Sequence, residues 1–369
     1  MEPTNQPFQV QQSVRIIGYD FARALAILGM IIVNFAVVMG AETNGPIWLQ
    51  WFVGLLEGRA AAIFVILAGV GLSLLSQKAR LAHDVTRLAR HRSALWKRAI
   101  FLFVVGLIFT PVWPADILHF YGVYLAIGAC LLVVPDRDLW KMALGSTFLF
   151  VLLLFFLNYD AGWNWTTLTY RDFWTPRGML RHLLFNGFHP VFPWIAFLFI
   201  GMWLGRQNLP DSAIRTRLLT VCAGIFIVTE SLSWLLTRFV KAVVHGSDLA
   251  DMLALVDSAP IPPMPFYIFS AGSAACIVIL FCITLTQHYA EARWVRALVA
   301  TGQLALTLYV AHVVVGMGGL ELMGRLNNQS LAFAVTIAMI FYAAGVAFSV
   351  VWRKHFTRGP LEAVMRSIT

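Results

Sequence analysis

Residues 15–40 read RIIGYDFARALAILGMIIVNFAVVMG, and the fold turns on how that stretch is read. It is long and apolar enough for a membrane-spanning helix, which needs about 20 residues. Yet Asp20, Arg23 and Asn34 interrupt it. Asp20 and Arg23 are three apart, so they share a helix face. Asn34 follows Arg23 by eleven residues. At about 100° per residue it falls roughly 20° from the same face, about 16 Å further along the axis. A polar stripe of that length is costly against lipid and is expected to face protein or water.

The rest of the chain agrees with a membrane setting. Its 369 residues are 59% hydrophobic and 12% charged, with a mean hydropathy of +0.76. A soluble domain carries about 25% charged residues. The fold class expected is all-α, a polytopic membrane helix bundle. Apolar runs fall near 16–40, 57–77, 98–113, 115–134, 139–158, 190–206, 217–243, 264–287, 299–323 and 330–352, which predicts about ten transmembrane helices. The 111–116 break, PVWPAD, makes the third and fourth runs a hairpin.

The net charge of +9 is a topology signal, because the basic residues fall in alternate loops. Nucleic acid is therefore not an expected partner. The 78–98 loop holds Lys78, Arg80, Arg87, Arg90, Arg92, Lys97 and Arg98, whereas the intervening outer segments hold few, among them Arg171, Arg177, Arg181 and Arg325. Both termini are thus expected to be cytoplasmic. Residues 1–14 are polar and read as a disordered cytoplasmic tail, 15–353 as the transmembrane domain, and 354–369 as a cytoplasmic C-terminal tail. A cleaved signal peptide is not expected, since no basic segment precedes Arg15 and the first apolar run is interrupted by charge. The outer segments 159–189 and 244–263 do not read as separate folded domains. Cys130, Cys222, Cys276 and Cys282 lie in apolar stretches without metal-type spacing and read as packing residues.

Several polar groups stand out, each with a bland and a functional reading. Asp20 and Arg23 either pair at the inner interface or open a lined path that Asn34 continues. Glu57 and Arg59 follow Trp48 and Trp51 at the outer boundary. They read as an interfacial ion pair, or as an arginine turned inward to bind an anion or carbonyl oxygen. Asp116 and His119 are an i,i+3 pair, in which a carboxylate orients an imidazole as a general base requires; Asp116 also suits a helix cap. His189, followed by Trp194, lies at another outer boundary. His312 lies more than a dozen residues into the ninth run, with Tyr309 at i−3 as a hydrogen-bond partner, and ionisable groups at such depth are functional candidates. Glu230 follows the same logic, although Ser231 and Ser233 offer local partners. The Gly201–Gly205 spacing suits close helix approach. No phosphate-cradling, redox, zinc or serine-nucleophile motif appears.

The opening stretch, with its R…D..R…N order, resembles the first helix of the transmembrane acyltransferases. EGRAAAIFVILAGVGLSLL, ADILHFYGVYLAIG, HPVFPWIAFLFIGMWLGR and TGQLALTLYVAHVV resemble later blocks of the bacterial branches known as DUF418 and DUF1624, which are related to heparan-α-glucosaminide N-acetyltransferase. The likeness runs from Arg15 to about Arg353. It implies a multi-pass inner-membrane acyltransferase that takes an acetyl group from cytoplasmic acetyl-CoA and delivers it to an extracytoplasmic sugar hydroxyl or amine, without a metal.

In the sugar O-acetylating branch a histidine stands where this chain has Asn34, and the glucosaminide enzyme is similar to this chain there. That enzyme looks to use a histidine in its first luminal loop, but residues 41–56 contain none. Ala24 stands where the family has a glycine. The resemblance therefore implies His119, supported by Asp116, or His312 as the base, with Asn34 beside the reacting carbonyl. It implies Arg15, Asp20, Arg23 and Arg59 at the acyl donor, and His189, Trp48, Trp194 and Glu57 at the acceptor. Membrane lipids and a glycan-like acceptor are the expected partners, and a homodimer is left open. The rival readings are a small-molecule transporter or lipid/glycan flippase without group transfer, which should show matching halves with broken helices, and a structural or signalling membrane protein.

Overall fold

The computed structural model describes residues 15–246 and 248–369. The disorder expected of residues 1–14 lies outside the described residues. Among the described residues the regular structure is helical apart from a short antiparallel pair, β1 (Trp163–Asn164) and β2 (Thr169–Tyr170).

The opening stretch forms α1 (Gly18–Val38). After a turn, α2 (Ile47–Leu56) leads into α3 (Arg59–Leu81) through Gly58, whose φ of +67° is a left-handed conformation that favours glycine. Next come α4 (Val85–Phe109), α5 (Leu118–Cys130) and α6 (Asp136–Leu154). Between α6 and α8 (Val191–Leu204) lie the β pair, the short α7 (Pro176–Arg181) and a π-helical turn at His182–Asn186. Then follow α9 (Ser212–Val243), α10 (Asp248–Val256) and α11 (Pro265–His288). The next span is broken into α12 (Arg293–Gly302), α13 (Ala305–Ala311), a π-helical turn His312–Met317 and α14 (Gly318–Leu322). The chain closes with α15 (Leu331–His355) and α16 (Pro360–Ile368).

Among the described residues, six helical segments are long and apolar enough to cross a membrane: Gly18–Val38, Ile47–Leu81, Ser212–Val243, Pro265–His288, Ala305–Leu322 and Leu331–His355. A seventh arises if Pro176–Asn186 and Val191–Leu204, bent by 51°, act as one. Other expected runs are realised as the short α5 and the charge-headed α4 and α6, so the expected ten are not all of one kind.

The basic 78–98 segment differs from the loop expected there. It is helical except for the turn at 82–84, because Asp84 caps α4 by accepting the Arg87 backbone N–H at 2.8 Å. Lysine and arginine are good helix formers, and Arg87, Arg90, Arg92 and Lys97 sit on the exposed face.

The core is organised around α1, which packs against α3, α11, α12 and α15. It buries Phe21, Ala22, Ile27, Ile31 and Phe35 almost completely. A second layer pairs α4 with α5 and seats α8 against both α3 and α6. The tail expected at 354–369 includes α16, which rests against α13 and α4.

Candidate functional site

The polar stripe of α1 faces inward, along two cavities. The first, of about 510 Å3, is walled by Asp20, Arg23, Ile27 and Met30 of α1. The second, of about 430 Å3, begins at Met30 and continues past Val33, Asn34 and Val37. Met30, Ile117 and Tyr309 line both and so form the partition between them.

The first cavity is rimmed by cations: Arg15, Arg23, Arg353 and Arg358. Asp20 is 3% exposed and sits between two of them. It accepts from Arg15 Nη2 and Arg23 Nη1, each at 2.6 Å, and from Gln303 Nε2 at 3.3 Å. Asp20 thus orients the two arginines, while their remaining N–H donors stay available to an anion. The carboxylate of Glu362, from α16, is already used. It accepts from the Leu306 and Thr307 backbone N–H groups at 2.8 and 3.1 Å and from Thr307 Oγ1 at 2.5 Å. These are the orphan donors at the start of α13, so the tail helix caps the element that carries Tyr309 and His312.

At the partition two histidine-backed arms meet on Tyr309. Its phenol O–H donates to Asp116 Oδ1 at 2.9 Å, and the phenol oxygen accepts the Ile117 backbone N–H at 3.1 Å. The other oxygen of Asp116 binds His119 Nδ1 at 2.9 Å and the His119 backbone N–H at 3.2 Å. The second arm uses the Tyr309 backbone carbonyl, which accepts from His312 Nδ1. That leaves His312 Nε2 to accept from Asn34 Nδ2 at 3.0 Å. Gly106 of α4 makes room for the first arm, since a Cβ there would lie 2.2 Å from the His119 nitrogen and 2.7 Å from Asp116 Oδ2.

The candidates separate accordingly. Asp116, His119 and His312 are fully buried, at 0%, 1% and 0% exposure, and none lines either cavity. His119 is packed against Phe120 at a ring distance of 4.0 Å and stacks on His182 at 5.6 Å. Asn34, Glu57, His189 and Trp194 do line the second cavity. Two candidates do not go where they were expected. Trp48 is 69% exposed on the outward face of α2 and lines neither cavity. Arg59 is also absent from both walls. It donates to Glu230 Oε1 at 2.7 Å and to Ser270 Oγ at 2.9 Å, so its ion-pair partner is Glu230 and not Glu57. Glu230 is likewise satisfied from afar, by Arg59, Ser258 and Ser270, and not by Ser231 or Ser233.

Other wall residues carried little local signal. Glu42, Trp113 and Trp165 line the second cavity; Trp113 belongs to the proline break, and Trp165 to the turn that follows β1. Burial pushes the Glu42 carboxyl above its ordinary range, partly offset by a backbone hydrogen bond. His182 lies in the arginine-bearing 159–189 segment and reaches His119 only through the fold. No group of His, Cys, Asp and Glu able to hold a metal occurs among the described residues.

The sequence profile of the heparan-alpha-glucosaminide N-acetyltransferase catalytic family matches residues 15–234, which carry α1, Asp116 and His189. A second profile, a family of unknown function termed DUF418, matches residues 258–369, which carry Tyr309, His312 and Glu362. The chain is similar to an uncharacterized 39.9 kDa protein in the amylase 3' region of Bacillus acidopullulyticus, at 22% identity over 96% of this chain and 94% of that one. It is also similar to the uncharacterized protein YeiB of Escherichia coli K12, at 25% identity over 96% of each.

Proposed function

This chain belongs to the heparan-alpha-glucosaminide N-acetyltransferase catalytic family, and from that premise we propose that it is an inner-membrane acetyltransferase. It takes the acetyl group of acetyl-CoA at the cytoplasmic face and passes it to an acceptor on the opposite side. Both termini are cytoplasmic in this reading, in keeping with the bias of basic residues toward alternate loops. The observation that carries it is the pair of cavities placed end to end along one face of α1, sharing Met30, Ile117 and Tyr309.

The inner cavity suits the acyl donor by its donor set. Arg15, Arg23, Arg353 and Arg358 line it, and guanidinium groups bind phosphates with paired N–H donors. Acetyl-CoA supplies an activated thioester there. Asp20 keeps Arg15 and Arg23 in place and prevents the cluster from being purely repulsive.

In the outer cavity, His189 serves as general base, because among the described residues it is the histidine on that wall. Asn34 offers its amide to the developing oxyanion. His312 is a positioning residue that fixes the Asn34 amide, and the Asp116–His119 pair positions the Tyr309 phenol at the partition. His189 thus takes the proton-accepting role first assigned to His119 or His312.

The test is release of free CoA thiol from acetyl-CoA by the purified chain in proteoliposomes, with labelled acetyl followed into the acceptor. Acetyl-CoA at millimolar concentration should also raise the unfolding temperature where adenosine does not. Absence of both signals overturns the reading. The thin partition also suits a carrier; that second reading gains if a labelled solute crosses the bilayer without acquiring an acetyl group.

A further inference from the structure

We infer that the outer cavity takes a neutral polyhydroxylated ring, acetylated on a hydroxyl oxygen, and turns away anionic sugars. The inference deepens the acetyl-transfer reading and rests on it for the chemistry, though not for the selectivity. The two cavities along α1 have opposite charge. Where the inner wall carries arginines, the outer wall carries Glu42 and Glu57 and, among the described residues, no lysine or arginine. Arg59, two residues from Glu57, offsets them only in part, because its guanidinium is paired with Glu230 and Ser270 and lines neither cavity. A sulfate, phosphate or uronate placed there meets two carboxylates, both on exposed residues of the cavity wall, so the repulsion is strongest at low ionic strength.

The remainder of the wall favours hydroxyls. Trp165, half-buried, gives it an apolar ring face on which the C–H side of a sugar ring can rest, and Trp113 and Trp194 border the same wall. Trp113 and Trp194 are 5% and 1% exposed, and their indole N–H groups have no hydrogen-bond partner; nor has His189 Nδ1. Buried donors of this kind are rarely left unpaired. A hydroxyl can accept from such N–H groups and donate to a carboxylate. An anion satisfies only the donors. An ammonium satisfies only the carboxylates, which would also hold it protonated and without a lone pair for attack.

The group transfer balances without a redox partner. The hydroxyl oxygen forms an ester bond to the acetyl carbonyl carbon while the thioester C–S bond breaks. The hydroxyl proton goes to His189, and the departing sulfur takes up a proton to become the CoA thiol.

The experiment compares three forms of one ring: methyl glucoside, glucosamine and glucuronate. Each is titrated against the purified full-length chain in detergent, and binding is read from tryptophan fluorescence without acetyl-CoA. The expected result is saturable binding of the glucoside at least tenfold tighter than glucuronate. The Glu42→Gln, Glu57→Gln double variant should narrow that gap to less than threefold. Trp194→Phe should weaken the glucoside several-fold while the unfolding temperature still rises with acetyl-CoA, which shows that the variant is folded. Glucuronate binding as tightly as the glucoside, glucosamine binding tightest, or no binding by any of the three overturns the inference. The wild-type comparison decides even if the variants do not fold. If the glucoside binds as expected but no CoA thiol is ever released, the acetyl-transfer reading fails and the selectivity of the cavity stands.

Discussion

The two ends of α1 make an instructive pair. At one end an arginine cluster is organised by a single buried carboxylate, Asp20, which accepts from Arg15 and Arg23 at 2.6 Å. At the other, Asn34 is held by His312 in a cavity whose charged wall residues are both glutamates. The same helix face therefore passes from an anion-attracting environment to an anion-repelling one within about 16 Å. The difference teaches that the sign of the local field, and not polarity alone, distinguishes the two cavities. Arg59 makes the same point in reverse. It lies two residues from Glu57, yet its guanidinium is paired with Glu230 and bonded to Ser270, so it does not line the second cavity.

The contrast can be broken most severely at His189. His189→Ala should lower the rate of acetyl transfer by about 10²–10⁴-fold, the usual range for a general base, while the rise in unfolding temperature with acetyl-CoA stays unchanged. Retention of the wild-type rate would return the base to His119 or His312.

The inner half is sharpened by Arg23→Ala. Loss of a charged hydrogen-bond donor costs about 1.5–3 kcal/mol, so KM for acetyl-CoA should rise roughly ten- to hundredfold. Acceptor binding, measured by fluorescence, should not change. An equal loss on both sides would mean that the cavities are not separate sites.

The partition itself is probed by Tyr309→Phe. It leaves the buried Asp116 short of one donor, at about 1–3 kcal/mol of stability, and should lower kcat. Because Tyr309 and His119 bind the same carboxylate, the double variant Tyr309→Phe, His119→Ala should cost less than the sum of the single changes. Strict additivity would show that the two residues act independently.

Smaller effects should follow at Arg59 and Trp48, which line neither cavity and touch neither arm of the partition. Arg59→Ala should lower stability by about 1–3 kcal/mol for a partly buried pair, read as a fall in unfolding temperature, with KM for acetyl-CoA unaltered. Trp48→Ala should change stability and acceptor binding by less than about 0.5 kcal/mol; a marked loss of acceptor affinity would return Trp48 to the site.

Much of this was legible in the chain, and the parts that were not share a cause. The inward face of α1 was readable because helical periodicity is local: three positions and about 100° per residue suffice. The Asp116–His119 pair was readable for the same reason. The 78–98 segment misled because a basic loop and a basic helix have the same composition; a single cap at Asp84 decides between them. Trp48 misled because aromatic residues gather at membrane interfaces whatever they contact.

The sequence by itself determined that this is a multi-pass helical membrane protein of an acetyltransferase-type family, with a polar stripe on its first helix. Those features rest on composition, order and local geometry. Only the tertiary structure decided that Tyr309 joins Asp116 to His312, that His189 and not His119 reaches a cavity wall, and that Arg59 answers to Glu230. Each of those links spans distant parts of the chain. Their energies depend on which helix faces are brought into contact, a quantity that no short stretch of residues contains.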